Sequence, residues 1–568
     1  MTAASRTGTV TPTEATESLL VRGRRARECG EPAEAVRLLE AALEHTHDDA
    51  EAHYQLGLAL AVLQQWEDAV DHYTLAAHFS PARPEFREAC VEALLGMGHP
   101  EAALEELDRL PTDDRGRPTA QFLRGVCAKR RGDLAAARAA YGAAAAAMPD
   151  RAQYWCQLGY VEYLQGDYAA GRASLERALA LAPDDAEAQH NLGLLALESG
   201  AAAEALARFE RANAARPGNP AILAATGHAL RDLGRLDAAI AAYEQALALA
   251  PDLGDALLNR AYARLMQGDY ARGWDEYERR FEATATGAGG TGAPRWQGEA
   301  LAGRRLLVYG EQGLGDEIMF ASCLPDVLAR ADGAVTVACD PRLATLFRRA
   351  FPRATIVGTP RGGAVPLPAT DVEIPLGSVP ALYRRRAADF PAVSGYLQAD
   401  AALTEQWRAR LAALVPGPWL ALAWRGGSPR TRGLQRSIPL RDCLPLFGLG
   451  CAIASVQYGE VAAEADAVQR EAGVTLHLFP DAGRDLESTA ALLAAIGRVV
   501  TVDNTIAHLA GALGLEVRTL LPAAPEWRYP RAGAHPLWYP RTQLFRALPG
   551  GGWPPVLAQV CRDLRAPG

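Results

Sequence analysis

Lysine is almost missing from this chain of 568 residues: Lys129 stands alone, and the other basic side chains are arginines. Any anion site must therefore use arginine, histidine or backbone N–H groups. The nine cysteines are scattered, odd in number and free of any C-x-x-C pair. That argues against a disulfide framework or a structural zinc, and for a reducing compartment. No run of about 18 apolar residues occurs, so no membrane span is expected. The opening M-T-A-A-S-R-T-G-T-V lacks the charged-then-apolar pattern of a secretory signal, and a cytoplasmic protein is expected. A net charge of −9 does not recommend nucleic acid as the main partner. The second half has no D-x-D motif, and no metal or other cofactor is expected.

What is present is length, alanine and periodicity. The chain is too long for a single core and must split into domains. Gly23, Gly57, Gly125, Gly159, Gly193 and Gly227 fall on one 34-residue grid, with Val91 and Ala261 at its other two positions. A second grid holds Gly30, Gln64, Gly98, Gly132, Gly166, Gly200, Gly234 and Gly268 at the turn inside each unit. A third is small throughout (Ala35, Ala69, Ala103, Ala137, Gly171, Ala205, Ala239, Gly273). A fourth carries Leu39, Tyr73, Leu107, Tyr141, Leu175, Phe209, Tyr243 and Tyr277. Small residues on the first and third grids let paired helices approach closely, and the large residue of the fourth fills the gap to the next unit. This pattern resembles the tetratricopeptide repeat. About eight such units predict a right-handed superhelix over 15–282, with a groove suited to a polypeptide segment. Trp66, Trp155 and Trp274 read as structural or rim residues. No regular asparagine ladder lines the groove. Residues 1–14 are polar and read as disordered.

From 283 to 303 the composition turns Gly-rich, which reads as a flexible linker. Beyond it, short apolar runs alternate with helical stretches, an α/β pattern. Strands are expected at 305–309, 334–339, 354–357 and 371–374, giving a Rossmann-like half at 304–400. Others at 419–424, 451–457, 474–478, 498–502 and 517–521 give a second half at 415–568. Facing halves of this kind bind ligands at the carboxyl ends of their strands.

The candidate chemistry sits at those ends. V-V-T-V-D-N-T-I-A-H-L-A-G-A-L-G (499–514) reads as strand, N-cap and helix. The helix start suits an anion, and His508 lies one turn in. The alternative is that Asp503 and Asn504 only cap the helix and His508 is a core residue. The loop G-E-Q-G-L-G-D-E (310–317) has the wrong spacing for a dinucleotide fingerprint. It sets Asp316 and Glu317 at a helix start, either as helix-start charges or with one as a general base. W-R-G-G-S-P-R-T-R-G-L-Q-R-S-I-P-L (424–440) gathers Arg425, Arg430, Arg432 and Arg436 in one loop, a candidate anion site. S-V-Q-Y-G-E (455–460) supplies Gln457 and Tyr458 at another strand end. P-E-W-R-Y-P (525–530) and L-W-Y-P-R (537–541) read as packing.

Taken in order, G-E-Q-G-L-G-D-E, R-S-I-P-L, S-V-Q-Y-G, V-D-N-T-I-A-H-L-A-G-A-L-G and E-W-R-Y resemble the heptosyltransferase-like (family 9) glycosyltransferases of the GT-B fold. More closely, the chain resembles bacterial proteins that join tetratricopeptide repeats to such a domain. The implied fold is an α-solenoid of tetratricopeptide repeats followed by an α/β, GT-B-like pair of Rossmann-like domains. The implied activity is inverting, metal-independent transfer from a nucleotide-sugar donor. By resemblance Asp316 is the base, and Asn504, Thr505 and Ile506 offer N–H groups to the donor phosphate with His508 nearby. Arg436 meets the leaving phosphate, and Gly313, Gly315, Arg425, Gln457, Tyr458 and Asp503 complete the donor site. Some fusions of this kind modify flagellin, so a flagellin-like polypeptide is the leading acceptor. A saccharide acceptor such as lipopolysaccharide, or a non-catalytic scaffold, are the alternatives. The sequence departs from the pattern at Asn504, where a small hydroxyl residue is usual, and in its short first Rossmann half.

Overall fold

The computed structural model describes residues 12–283, 290–360, 365–392, 395–427, 433 and 435–565. Arg430 and Arg432 lie outside them, as do 1–11 and 284–289. The chain divides into two compact units, Met1–Leu195 and Ala196–Gly568.

The N-terminal part is a helical array from Pro12–Glu28 to Tyr270–Tyr277, about sixteen helices. Helices pack in sequence pairs, such as Ala50–Val62 with Trp66–Phe79, Pro118–Arg130 with Leu134–Ala147, and Pro220–Asp232 with Leu236–Leu249. A Cβ added to Gly57, Gly125 or Gly227 would meet the ring of Tyr73, Tyr141 or Tyr243 at 2.7, 2.6 or 2.5 Å. The large residue of the fourth grid therefore seats on the glycine of its own unit, sixteen positions back, rather than only bridging to the next. Every member of the second grid has a positive φ, from Gly30 at 80° to Gly268 at 92°, and Gln64 at 62°. That left-handed turn closes the first helix of each pair.

Two parallel sheets follow. The first comprises β1 (Leu306–Tyr309), β2 (Val335–Cys339), β3 (Thr355–Gly358) and β4 (Val372–Pro375), in the order β3-β2-β1-β4. The second comprises β5 (Trp419–Ala423), β6 (Ala452–Ser455), β7 (Leu476–Leu478), β8 (Arg498–Val502), β9 (Glu516–Leu521) and β10 (Thr542–Arg546). Its order, β10-β9-β8-β5-β6-β7, is the doubly wound one, and the chain reverses direction across the sheet between β5 and β8. β8 is held by both neighbours, with Val499 opposite Ala421 on β5 and Val517 on β9. β5 is buried on both faces: Ala421 and Ala423 join one core, Leu420 and Leu422 another. Such strands read as continuous apolar runs. The helix expected after β1 is broken into Leu314–Phe320, a 3-10 turn Ala321–Cys323, and Leu324–Arg330. Pro325 cannot continue the turn before it.

The second unit has a shared interior. Ala261, Trp274 and Tyr277 of the last repeat helices are buried in one core with Ile318, Phe320, Trp527 and Trp538. Residues 290–303, within the stretch expected to be flexible, are pinned to β4. Trp296 N–H donates to Glu373 O at 2.8 Å, and Thr291 Oγ1 to Glu373 Oε2 at 2.8 Å. Among the described residues, no helix is long and apolar enough to cross a membrane.

Candidate functional site

The site forms where the reversal points of the two sheets meet. The loop after β1 leads into the helix Leu314–Phe320, and the turn after β8 leads into the helix Thr505–Ala512. These two helices pack on one another. Contact requires glycine at position 315, where a Cβ would lie 2.9 Å from His508 Cδ2. Gly313 is the N-cap of the first helix, and a Cβ there would lie 2.9 Å from Asp316 Oδ2.

The structure separates the two adjacent carboxylates. Glu317 is buried and accepts the N–H of Asp340 at 2.8 Å, tying the β1 loop to the end of β2. Asp316 lines a cavity of about 370 Å³ together with Arg436, Thr505, His508, Glu526 and Arg528. Its Oδ1 is paired with Arg528 Nη2, from 212 residues further on. Arg436 reaches Glu526 Oε1 at 3.4 Å, Asp503 Oδ2 at 3.1 Å and Asp503 O at 2.7 Å. Asp503 itself is fully buried. It therefore acts behind the helix start, holding Arg436, rather than facing a ligand directly. Two guanidinium groups thus share one cavity with Asp316, and Glu526 lies beside both.

Asn504 is wholly engaged in building the turn. Its Oδ1 accepts from Ile506 N (2.9 Å), Ala507 N (3.2 Å) and Thr501 Oγ1 (3.0 Å), while Nδ2 donates to Arg425 O at 3.0 Å. An amide can cap a helix through its oxygen and donate across to the end of β5 through its nitrogen; a carboxylate only accepts, and a hydroxyl has to do both through one atom. The expected offer of the Ile506 N–H to a phosphate is thereby corrected, because that group is already bonded. Ile506 instead walls a second cavity, also of about 370 Å³, over the carboxyl ends of β6, β7 and β8. Ser455, Gln457, Tyr458, Phe479 and Thr505 line it too. Leu314, Tyr458 and Thr505 belong to both cavities, so they adjoin.

Gln457 is a strut as well as a wall: its Oε1 accepts from Trp424 N at 2.9 Å and Arg425 N at 2.7 Å. Arg425 stands apart from both cavities. Its guanidinium pairs with Glu464 and donates to Glu460 O at 3.2 Å, and it lines neither cavity. His508 is buried, with Nδ1 3.0 Å from Tyr539 Oη. Burial, reinforced by Arg528, lowers its pKa to about 3, so the ring is neutral at ordinary pH. Arg528, Glu526 and Tyr539 come from the two stretches read as packing. Their signal was the alternation in E-W-R-Y: Trp527 and Tyr529 are buried, and Glu526 and Arg528 point to the cavity.

The family-model matches fall on the repeat part. Residues 20–84, 91–154 and 156–220 match the tetratricopeptide repeat model, and 227–268 match a TPR repeat model. Tetratricopeptide repeats therefore run through the N-terminal ~270 residues. The chain is 32% identical over 332 residues to Protein FlbA of Caulobacter vibrioides, covering 55% of each chain. It thus spans about half the length of that curated relative. Among solved structures, the Cut9–Hcn1 hetero-tetramer of APC/C matches at 18% identity, over 49% of this chain and 53% of that one, with a TM-score of 0.39. YrrB, a TPR protein with an unusual peptide-binding site, matches at 21% identity over 32% and 96%, with a TM-score of 0.27.

Proposed function

We propose that the α/β part is an inverting, metal-independent glycosyltransferase of the GT-B kind, with halves at 304–400 and 415–568. The sugar passes from a nucleotide-sugar donor to a Ser or Thr hydroxyl of a polypeptide recruited by the repeats at 15–282, with flagellin as the leading acceptor. The observation that carries this reading is the cavity that brings Asp316, Arg436, Arg528 and His508 together at the reversal points of two parallel sheets.

The chemistry follows from the charges. The acceptor oxygen attacks the anomeric carbon as its proton passes to the Asp316 carboxylate. The bond from that carbon to the phosphate oxygen breaks on the opposite face, which inverts the centre. Negative charge then grows on the departing phosphate. Arg436, Arg528 and the dipole of the helix Thr505–Ala512 are the groups that meet it. The adjoining cavity over β6, β7 and β8 takes the nucleoside, with Tyr458 at the junction.

The test is nucleotide release from a panel of nucleotide-sugars. One donor class should be turned over by the wild type, and Asp316→Asn should lower that rate by about 10³-fold with donor affinity retained. Full activity in Asp316→Asn would remove Asp316 as the base.

A further inference from the structure

A transferase needs two routes to its reacting centre, and the donor cavity accounts for one. On another side, the catalytic cavity adjoins a polar section of about 230 Å³, with Arg436 and Glu526 common to both. One wall of this section is made by Arg231, Asn259 and Tyr262 of the last repeat helices. Arg231 Nη1 is paired with Asn259 Oδ1, and Arg231 Nη2 lies 3.0 Å from Asp232 Oδ1. The polar section adjoins in turn an outer one of about 480 Å³, with Asp232, Gln435 and Ala524 common to both. Half of the residues lining the outer section are alanine or glycine, including Ala201–Ala203 on the repeat side and Ala523, Gly550 and Gly552 opposite. Among the described residues, none lines both the donor cavity and either of these sections.

We propose that these two sections form the acceptor passage, and that it takes an extended polypeptide with small residues around the modified Ser or Thr. The inference rests on the glycosyl-transfer reading above and deepens it. Walls of alanine and glycine let another main chain come close, which a bulky branched saccharide would not need. The inner section is lined by polar and charged side chains that pair with protein groups, Asn259 with Arg231 and Asp255, Asp232 with Arg231, and Gln435 with Leu197 O and Glu198 O, so a peptide backbone entering it exchanges these partners for its own. The order from outside inward is close-fitting walls, polar partners and then Asp316.

The experiment uses the full chain, its donor class, and a pool of peptides of about 15 residues, roughly 50 Å when extended, each with a central Ser or Thr. Ala524→Trp blocks the point common to both sections, and Ala203→Trp narrows the outer one from an exposed helix position. Transfer to peptides should fall about tenfold or more in both variants, while donor hydrolysis stays within about twofold of the wild type. Unchanged transfer overturns the passage, as does a parallel fall in transfer and hydrolysis. Should Ala524→Trp fail to fold, Ala203→Trp decides. Donor hydrolysis by the wild type with no peptide modified overturns the polypeptide class while leaving glycosyl transfer intact. A wild type that hydrolyses no donor removes the parent reading, and this inference with it.

Discussion

The glycines of the repeats and the glycines of the β1 loop make room in the same way, but for different kinds of neighbour. Gly57, Gly125 and Gly227 each admit the ring that follows sixteen residues later, within one helix pair. Gly315 admits His508, which lies far away in sequence and on the other sheet's helix. In the repeats a contact recurs with a fixed period, so the sequence displays it several times over. In the site each contact occurs once, between segments that no local pattern connects. On the glycosyl-transfer reading proposed above, the former governs stability and the latter governs chemistry.

That contrast is sharpest in four substitutions and titrations. Gly315→Ala should drive a methyl into the buried His508 ring and lower donor turnover by about 10²-fold, since small displacements of a catalytic helix are expensive. Kinetics on a variant whose helical melting is unchanged would establish this; wild-type turnover would break the distinction. Gly125→Ala should do the opposite. Its new Cβ overlaps the Tyr141 ring, so it should destabilise the fold by about 1–3 kcal/mol while donor turnover holds at 20 °C. Denaturant melts paired with turnover assays check both halves of that statement.

His508 gives a pH signature. Its folded pKa of about 3 lies below the ordinary value of 6.5, so the unfolded chain binds the extra proton between those limits. Stability should therefore fall as pH drops from about 6.5 towards 3, by at most about 1.4 kcal/mol per pH unit from this group. His508→Phe should flatten that slope relative to the wild type; an unchanged slope would show that His508 does not titrate on unfolding. The smallest effect belongs to Gln64, the one non-glycine on the second grid, held at φ 62°. Gln64→Gly should stabilise by about 1 kcal/mol in a thermal or denaturant melt.

The strands were legible because parallel strands buried on both faces are runs of Val, Leu, Ile and Ala. β10 was missed because T-Q-L-F-R is half polar, and its place at the sheet edge beside β9 comes only from the tertiary fold. Asp316 and Glu317 could not be told apart locally. Two consecutive helix-start carboxylates look alike until one is bonded to the end of a distant strand. The surroundings of Arg425 were hidden for a related reason: an arginine-rich loop after a strand suggests an anion, and nothing local shows that its guanidinium pairs with Glu464. Arg528 was hidden among the aromatics of E-W-R-Y, although it is the partner that Asp316 touches. The linker reading rested on glycine content, and Trp296 and Thr291 show how a Gly-rich stretch can still be fastened to a sheet edge.

The central claim is that the joined cavities at the strand ends hold a nucleotide whose phosphates face Arg436 and Arg528. A thermal-shift panel of UDP, GDP, ADP, dTDP and CMP against the wild type and Arg436→Ala addresses it directly. One nucleotide should raise the melting temperature at saturating concentration, worth about 2.7 kcal/mol at 100 times its Kd, and the shift should shrink in Arg436→Ala. A wild type that none of the five stabilises would contradict it.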